Sequence, residues 1–266
     1  MHNGFVDIHC HLLPAIDDGS PDWETTLGMA QMAVADGTRA IIVTPHQLGN
    51  FAQNRGDHIR AWTVQLQQVL DQYGIDLQVL PGGDVRIEDG MLEGLASGEV
   101  MSLGDHRRHV LLELPHELYF PLEGILSALG RQGMTGILSH PERNQGLLAE
   151  PELLLTLVDE GCLMQVTAGS LMGTFGPKSQ ALAEWMLANG LVHFIATDAH
   201  GIKSRRPLMG RAFERVAELT DESTAVDLCC NYPALVATGQ SVSDGRREVS
   251  RPPSGWRRLF SAKKVG

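Results

Sequence analysis

Near the start of the chain, Asp7, His9 and His11 alternate with Ile8 and Cys10 in a short apolar run. On an extended strand that spacing sends all three polar side chains to one face and Ile8 to the other. Two imidazoles so placed can chelate one cation, and Asp7 could orient a ring through its second nitrogen. A single HxH pair more often belongs to a surface or a core than to a metal site. Here the pattern recurs. Asp17-Asp18-Gly19 fills the next loop, and later apolar runs end in or lead into Thr44-Pro45-His46, Gly82-Gly83-Asp84-Val85-Arg86, Glu113, His140-Pro141-Glu142-Arg143 and Thr197-Asp198-Ala199-His200. Buried acids and histidines are costly unless paired or metal-bound, so the repetition points to one shared centre.

For these residues to meet, the elements carrying them must run side by side. Seven strand-like runs, at residues 5–9, 40–44, 77–80, 110–114, 136–139, 163–167 and 192–197, alternate with helix-like stretches at 21–35, 58–73, 121–131, 151–160, 177–188 and 207–219. Five of the six helices open on proline, tolerated in a first turn, and several stop at a glycine suited to a left-handed cap. Such alternation predicts parallel strands joined by crossovers, with ligand-binding residues at the carboxyl ends of the strands. Seven strands favour a barrel, with an open sheet as the alternative.

The chain has 266 residues, of which 43% are hydrophobic and 20% charged, a composition that excludes a wholly disordered or collagen-like protein. A formal net charge of −11 argues against generic nucleic-acid binding. The four cysteines (Cys10, Cys162, Cys229, Cys230) form no CxxC pair, which fits a reducing compartment. No apolar run approaches membrane-spanning length and the first residues do not read as a signal peptide, so a cytoplasmic location is expected. Residues 1–242 read as one domain. Residues 243–266 carry seven basic and two acidic side chains, a net +5 that leaves −16 on the body. With Pro252-Pro253, this tail is expected to be disordered: a solubilising extension, or a weak tether to anionic lipid or an acidic partner aided by Trp256, Leu259 and Phe260.

The segments DIHCHLLPAIDDGS, TPH, PGGDVRI, LLELP, SHPER, TAGSLMGTFG and TDAH, in this order, resemble the PHP (polymerase and histidinol phosphatase) superfamily. Within it the chain resembles the manganese-dependent protein-tyrosine phosphatases of bacterial capsule and exopolysaccharide systems, from Asp7 to about Gly239. The resemblance implies an α/β fold, a distorted (β/α)7 barrel of the PHP type, holding three divalent metal ions. It assigns His9, His11, Asp18, His46, Asp84, Glu113, His140, Asp198 and His200 as metal ligands. Two departures from the pattern stand out. Asp84 replaces a usual glutamate one methylene longer, so the cluster must contract, the backbone must move inward, or one ion binds weakly. Gln47 replaces a common histidine after TPH, a change expected to affect a second-sphere or substrate contact and not the ligand set.

Mixed nitrogen and oxygen ligands without thiolate suit Mn²⁺, Fe²⁺ or Zn²⁺, and the resemblance implies Mn²⁺. The expected reaction is phosphotyrosine hydrolysis by a metal-bound hydroxide, with Arg143 and Arg206 as catalytic clamps on the phosphate and Arg86 as a third substrate contact. The implied partner is the phosphotyrosyl tail of a bacterial tyrosine autokinase, and the family includes oligomers. Other PHP activities on histidinol phosphate or small phosphomonoesters, and a catalytically weak metal-binding regulator, are the alternatives. An amidohydrolase is disfavoured because no strand-borne lysine ligand is present. Cys10 falls opposite His9 and His11 and reads as core. Trp23, Trp62 and Trp185 read as packing, His193 as structural, and His58, His106, His109 and His116 as solvated.

Overall fold

Nine strands form in chain order: β1 (Phe5–Cys10), β2 (Thr38–Val43), β3 (His46–Gln47), β4 (Gln78–Pro81), β5 (Asp84–Arg86), β6 (His109–Glu113), β7 (Thr135–Ser139), β8 (Leu163–Thr167) and β9 (Phe194–Ala196). The computed structural model describes residues 4–248. All pairings between these strands are parallel, in the orders β1-β2-β4 and β3-β5-β6-β7-β8-β9. β2 and β3 are one stave interrupted at Thr44-Pro45, and β4 and β5 are another interrupted at Gly82-Gly83. Seven staves result. The first and last meet where Cys10 pairs with Ala199, His11 N–H donates to the Ala199 carbonyl at 2.9 Å, and Asp198 N–H donates to the His9 carbonyl at 2.7 Å. The outcome is the expected distorted seven-stranded α/β barrel.

The distortion has a local cause. Pro45 has no N–H to give to a ladder, and a Cβ on Gly83 would lie 2.4 Å from Gln47 Oε1. Gln47 cannot yield, because it is buried and bonded to Met101 N–H at 2.7 Å and to the carbonyls of Asn54 and Glu99 at 2.6 and 3.0 Å. Gln47 therefore ties together the backbone at Asn54, Glu99 and Met101.

Inside the barrel, Ile8, Ile42, Leu111, Ile137, Leu163 and Phe194 form one apolar layer, joined by Val236 and Ala237 of the helix Tyr232–Ala237. Two residues further along, the same faces carry Thr44, Glu113, Ser139 and Gln165, because side chains alternate along a strand. The register of β1 shifts between Asp7 and Cys10, so the simple alternation expected there fails. Ile8 belongs to the apolar layer while its neighbour His9 reaches Gln165. Cys10 packs on the helical side with Ile41 and Met29, and Trp23 stacks on Trp62 with ring centroids 5.9 Å apart.

Two expectations need correction. His109 is not solvated: it opens β6 and is buried. The body also extends past residue 242. His193 Nε2–H donates to the Gly245 carbonyl at 3.0 Å, Arg246 pairs with Asp159, and Arg247 pairs with Asp227 at 3.0 Å. Those contacts dock residues 245–247 against the amino-terminal ends of β8 and β9. The remainder of the expected basic tail, 249–266, lies outside the described residues.

Burial, followed by Arg108, pushes the His109 imidazole down to about 4, and burial pushes His193 to about 4 as well. Folded, both stay neutral; unfolded, both take up a proton near their ordinary value. Their contribution to stability is complete above about pH 6.5 and is lost as pH falls toward 4, about 2 kcal/mol per histidine at pH 5. Urea unfolding of wild type and His193→Gln checks this. Between pH 7 and pH 5 the wild type should lose about 2 kcal/mol more than the variant, and parallel curves would refute the linkage.

Candidate metal centre

The carboxyl ends of the staves bring His9, His11, Asp18, His46, Asp84, Glu113, His140, Asp198 and His200 into one cluster. Their nitrogen and oxygen atoms form four overlapping groups, each with all ligand atoms within 4.8 Å of one another: His11, Asp18, His46 and His200; His9, His11 and Asp84; His9, His140 and Asp198; His46, Asp84 and Glu113. His9 Nε2 lies 3.2 Å from Asp198 Oδ1 and 3.6 Å from Asp84 Oδ2. His46 Nδ1 lies 3.2 Å from Asp84 Oδ2 and 3.5 Å from Glu113 Oε2. Asp18, half-exposed at the mouth, is 3.4 Å from both His46 Nε2 and His200 Nε2. Even with its shorter side chain, Asp84 reaches both His9 and His46, while its two oxygens are buried without a hydrogen-bond partner.

The rings are held from behind. His11 Nδ1–H donates to Asp17 Oδ2 at 2.7 Å, and the same oxygen accepts His46 N–H at 3.0 Å. His9 Nδ1–H donates to Gln165 Oε1 at 2.9 Å. Both bonds leave Nε2 directed into the cluster, where the two Nε2 atoms approach to 3.2 Å. Asp7, expected to orient a ring, instead accepts from the Thr197 hydroxyl and, at 3.0 Å, from Thr197 N–H. It thereby fixes the residue before Asp198. Asp198 and His140 both hold left-handed backbone, with φ of 51° and 34°. Such positions cost about 1–3 kcal/mol in a non-glycine residue and persist only where neighbours enforce them.

Arg143 and Arg205 both pair with Asp198 Oδ2, Arg205 at 2.5 Å. The Arg143 guanidinium also lies over the Phe175 ring, 4.2 Å from its centroid. Arg206 is exposed, and among the described residues no hydrogen bond or ion pair joins it to the cluster; Arg205 stands where Arg206 was expected. Glu142 of the HPER segment is fully buried and accepts from Thr167 N–H at 3.0 Å and the Ser170 hydroxyl at 2.7 Å, locking the turn that leads to Phe175. Arg86 sits further out, half-exposed beside Glu88 at 3.8 Å. Clefts of about 170 and 220 Å³ flank Glu113, one bordered by Phe51 and Arg86, the other by His116 and Arg143.

Burial opposes charge throughout this cluster, yet the pairings override it in most cases. Burial lowers the His46 imidazole, but Asp18, Asp84 and Glu113 carry it up to about 11; burial likewise opposes Asp17 at His11, which still rises to about 9. Burial raises Asp198, but His9, His11 and the two arginines hold it well below the carboxylate range. Burial prevails at three members: it pushes Glu113 up to about 7, followed by Asp84, holds His140 well below its ordinary value, followed by Arg143, and lowers His200, followed by His11. These are the properties of a cation site. Facing ring nitrogens, unpartnered buried oxygens and carboxylates balanced by imidazolium protons all fit divalent ions that displace those protons.

The sequence profile described as capsular polysaccharide synthesis, CpsB/CapC, matches residues 5–237. The chain belongs to this family. The tyrosine-protein phosphatase YwqE of Bacillus subtilis is 38% identical over 202 residues, spanning 75% of this chain and 79% of YwqE. The putative tyrosine-protein phosphatase CapC of Staphylococcus aureus is 31% identical over 209 residues, 78% of this chain and 82% of CapC. A crystal structure from work on YwqE and on CpsB of Streptococcus pneumoniae, described as unique metal-dependent tyrosine phosphatases, superposes with a TM-score of 0.85 at 33% identity, covering 92% of this chain and 100% of that one. A dihydropyrimidinase from Brevibacillus agri shares the fold alone, with a TM-score of 0.52 at 11% identity over 95% of this chain and 74% of its own. For this CpsB/CapC member, removing a ring's outer support should loosen the site without removing a ligand. Asp17→Ala and Gln165→Leu should each lower divalent-metal affinity about 10–100-fold, read as bound metal per chain across a chelator-buffered titration.

Proposed function

We propose that this chain is a metal-dependent protein-tyrosine phosphatase acting on the phosphotyrosyl tail of a bacterial tyrosine autokinase, in the cytoplasm, within exopolysaccharide or capsule synthesis. The observation carrying the reading is the four overlapping ligand groups at the barrel mouth. The tyrosine-phosphatase names of YwqE and CapC supply the substrate class. No described helix is long and apolar enough to cross a membrane, and all four cysteines are free.

The nine clustered residues would hold three divalent ions; five imidazoles and four carboxylates suit manganese, iron or zinc, and the family resemblance favours manganese. Ions in such a cluster supply Lewis acidity toward water and the phosphoryl oxygens. The protein supplies the rest. Asp198 orients Arg143 and Arg205, and their remaining N–H groups point a planar donor set at the phosphate. Phe175 covers the Arg143 guanidinium and limits its contact with water. Phenolate leaves readily, so an aryl ester needs no strong acid beside the leaving oxygen. Cys10 takes no part: it is fully buried, and burial pushes its thiol well above its ordinary value.

Chelation, His140→Ala and Asp198→Ala should each reduce phosphate release from a phosphotyrosyl peptide at least 100-fold. Full turnover in a demonstrably metal-free sample would refute the metal mechanism. Faster turnover of a small alkyl phosphomonoester in direct competition would instead favour a general PHP phosphoesterase.

The two adjacent arginines make a separate comparison. Arg205→Gln and Arg143→Gln should each lower kcat/KM about 100-fold, the scale of losing one preorganised donor to a developing charge. Arg206→Gln should change it no more than a few-fold. The reverse order at 205 and 206 would restore Arg206 as the clamp.

A further inference from the structure

Arg86 stands apart from the arginines bound to Asp198. It follows Asp84 by two residues on β5, so both side chains leave the same face, with Arg86 about 6.6 Å further toward the mouth. That offset is about the length of an aromatic side chain. Across the parallel ladder Arg86 is in register with Glu113, and it forms one wall of the 170 Å³ cleft whose floor includes His46 and Glu113. Phe51 lines the same cleft, its ring stacked on His46 with centroids 5.4 Å apart.

The loop over β3 is shaped around this arginine. Gly49 has φ of +53°, and a Cβ there would lie 2.6 Å from Arg86 Cδ. Gly49 N–H donates to Glu88 Oε1 at 3.1 Å, and Glu88 Oε2 approaches Arg86 Nε only to 3.8 Å. The stem is thus laid across the glycine. The guanidinium, with 44% of the side chain exposed, keeps most of its donors open toward the cleft.

We propose that Arg86 is a specificity-determining residue that reads an anionic side chain flanking the phosphotyrosine, with the ring lying between Phe51 and Arg86. The inference rests on the phosphatase reading above. A carboxylate and a second aryl phosphate present the same chemistry to the guanidinium. Although its backbone is in register with Glu113, the Arg86 side chain runs outward against Gly49 and Glu88, which places it for the chain that bears the phosphotyrosine and not for the phosphoryl group being transferred.

Four substrates test this: phosphotyrosyl peptides with neutral flanks, with acidic flanks and with a second phosphotyrosine, and a small aryl phosphate. At low salt the wild type should favour one or both anionic peptides over the neutral one by about tenfold, the scale of one charge-assisted hydrogen bond. The two anionic arms separate carboxylate from phosphate. Arg86→Gln should bring the ratio close to one, and Arg86→Glu should invert it. No preference in the wild type, or an equal loss on all four substrates in Arg86→Gln, would overturn the proposal. If nothing is turned over, the phosphatase reading fails by itself. Equilibrium binding of the same peptides carrying a non-hydrolysable phosphonate then decides Arg86: a preference for anionic flanks lost in Arg86→Gln supports it, and its absence refutes it.

Discussion

One carboxylate connects the two halves of this site. Asp198 is almost wholly buried, with Oδ1 facing His9, His11 and His200 and Oδ2 taking both Arg143 and Arg205. A buried charge is tolerated only when its surroundings are organised around it. Those surroundings reach far back: Asp7 clamps Thr197, the His9 carbonyl receives Asp198 N–H, and the left-handed backbone at 198 turns the carboxylate inward. The clustered imidazoles and the two arginines therefore share a support, and neither set can be adjusted alone.

The barrel makes that support stiff. Its apolar interior layer lies one side-chain step below the polar one, so the site rests on packed hydrocarbon. Beyond the interruptions at Thr44-Pro45 and Gly82-Gly83, β3 and β5 pair with His46 in register with Asp84, and the two side chains meet at 3.2 Å.

Much of this was legible in the sequence because the signals are periodic and punctuated. The seven apolar runs correspond to the seven staves, and the glycines at which helix-like stretches stop (Gly37, Gly74, Gly133, Gly161 and Gly190) all have positive φ. The cluster was legible for a related reason: acids and histidines at strand ends have no inexpensive alternative to convergence. Neighbour choice was harder. Asp17 and Asp18 are adjacent and chemically identical, and only the turn decides that Asp17 backs His11 while Asp18 faces the mouth. Arg205 and Arg206 pose the same problem. The register shift in β1 leaves no compositional trace, so the fate of Asp7 was hidden. Gln165, a lone amide in a fully buried strand, was a signal that could have been read. His109 misled because a basic neighbourhood resembles a surface.

The docked segment 245–247 fixes a direction. It lies against Gly190, His193 and Asp159, at the amino-terminal ends of the strands, whereas every clustered ligand stands at the other end. Five-residue staves separate the two by about 16 Å. Chain continuing past Glu248 therefore starts on the far side of the barrel from the catalytic mouth. An anchor attached there, natural or engineered, would turn the mouth away from whatever holds it. The enzyme could be fixed to a support through that end and still meet substrate approaching from free solution.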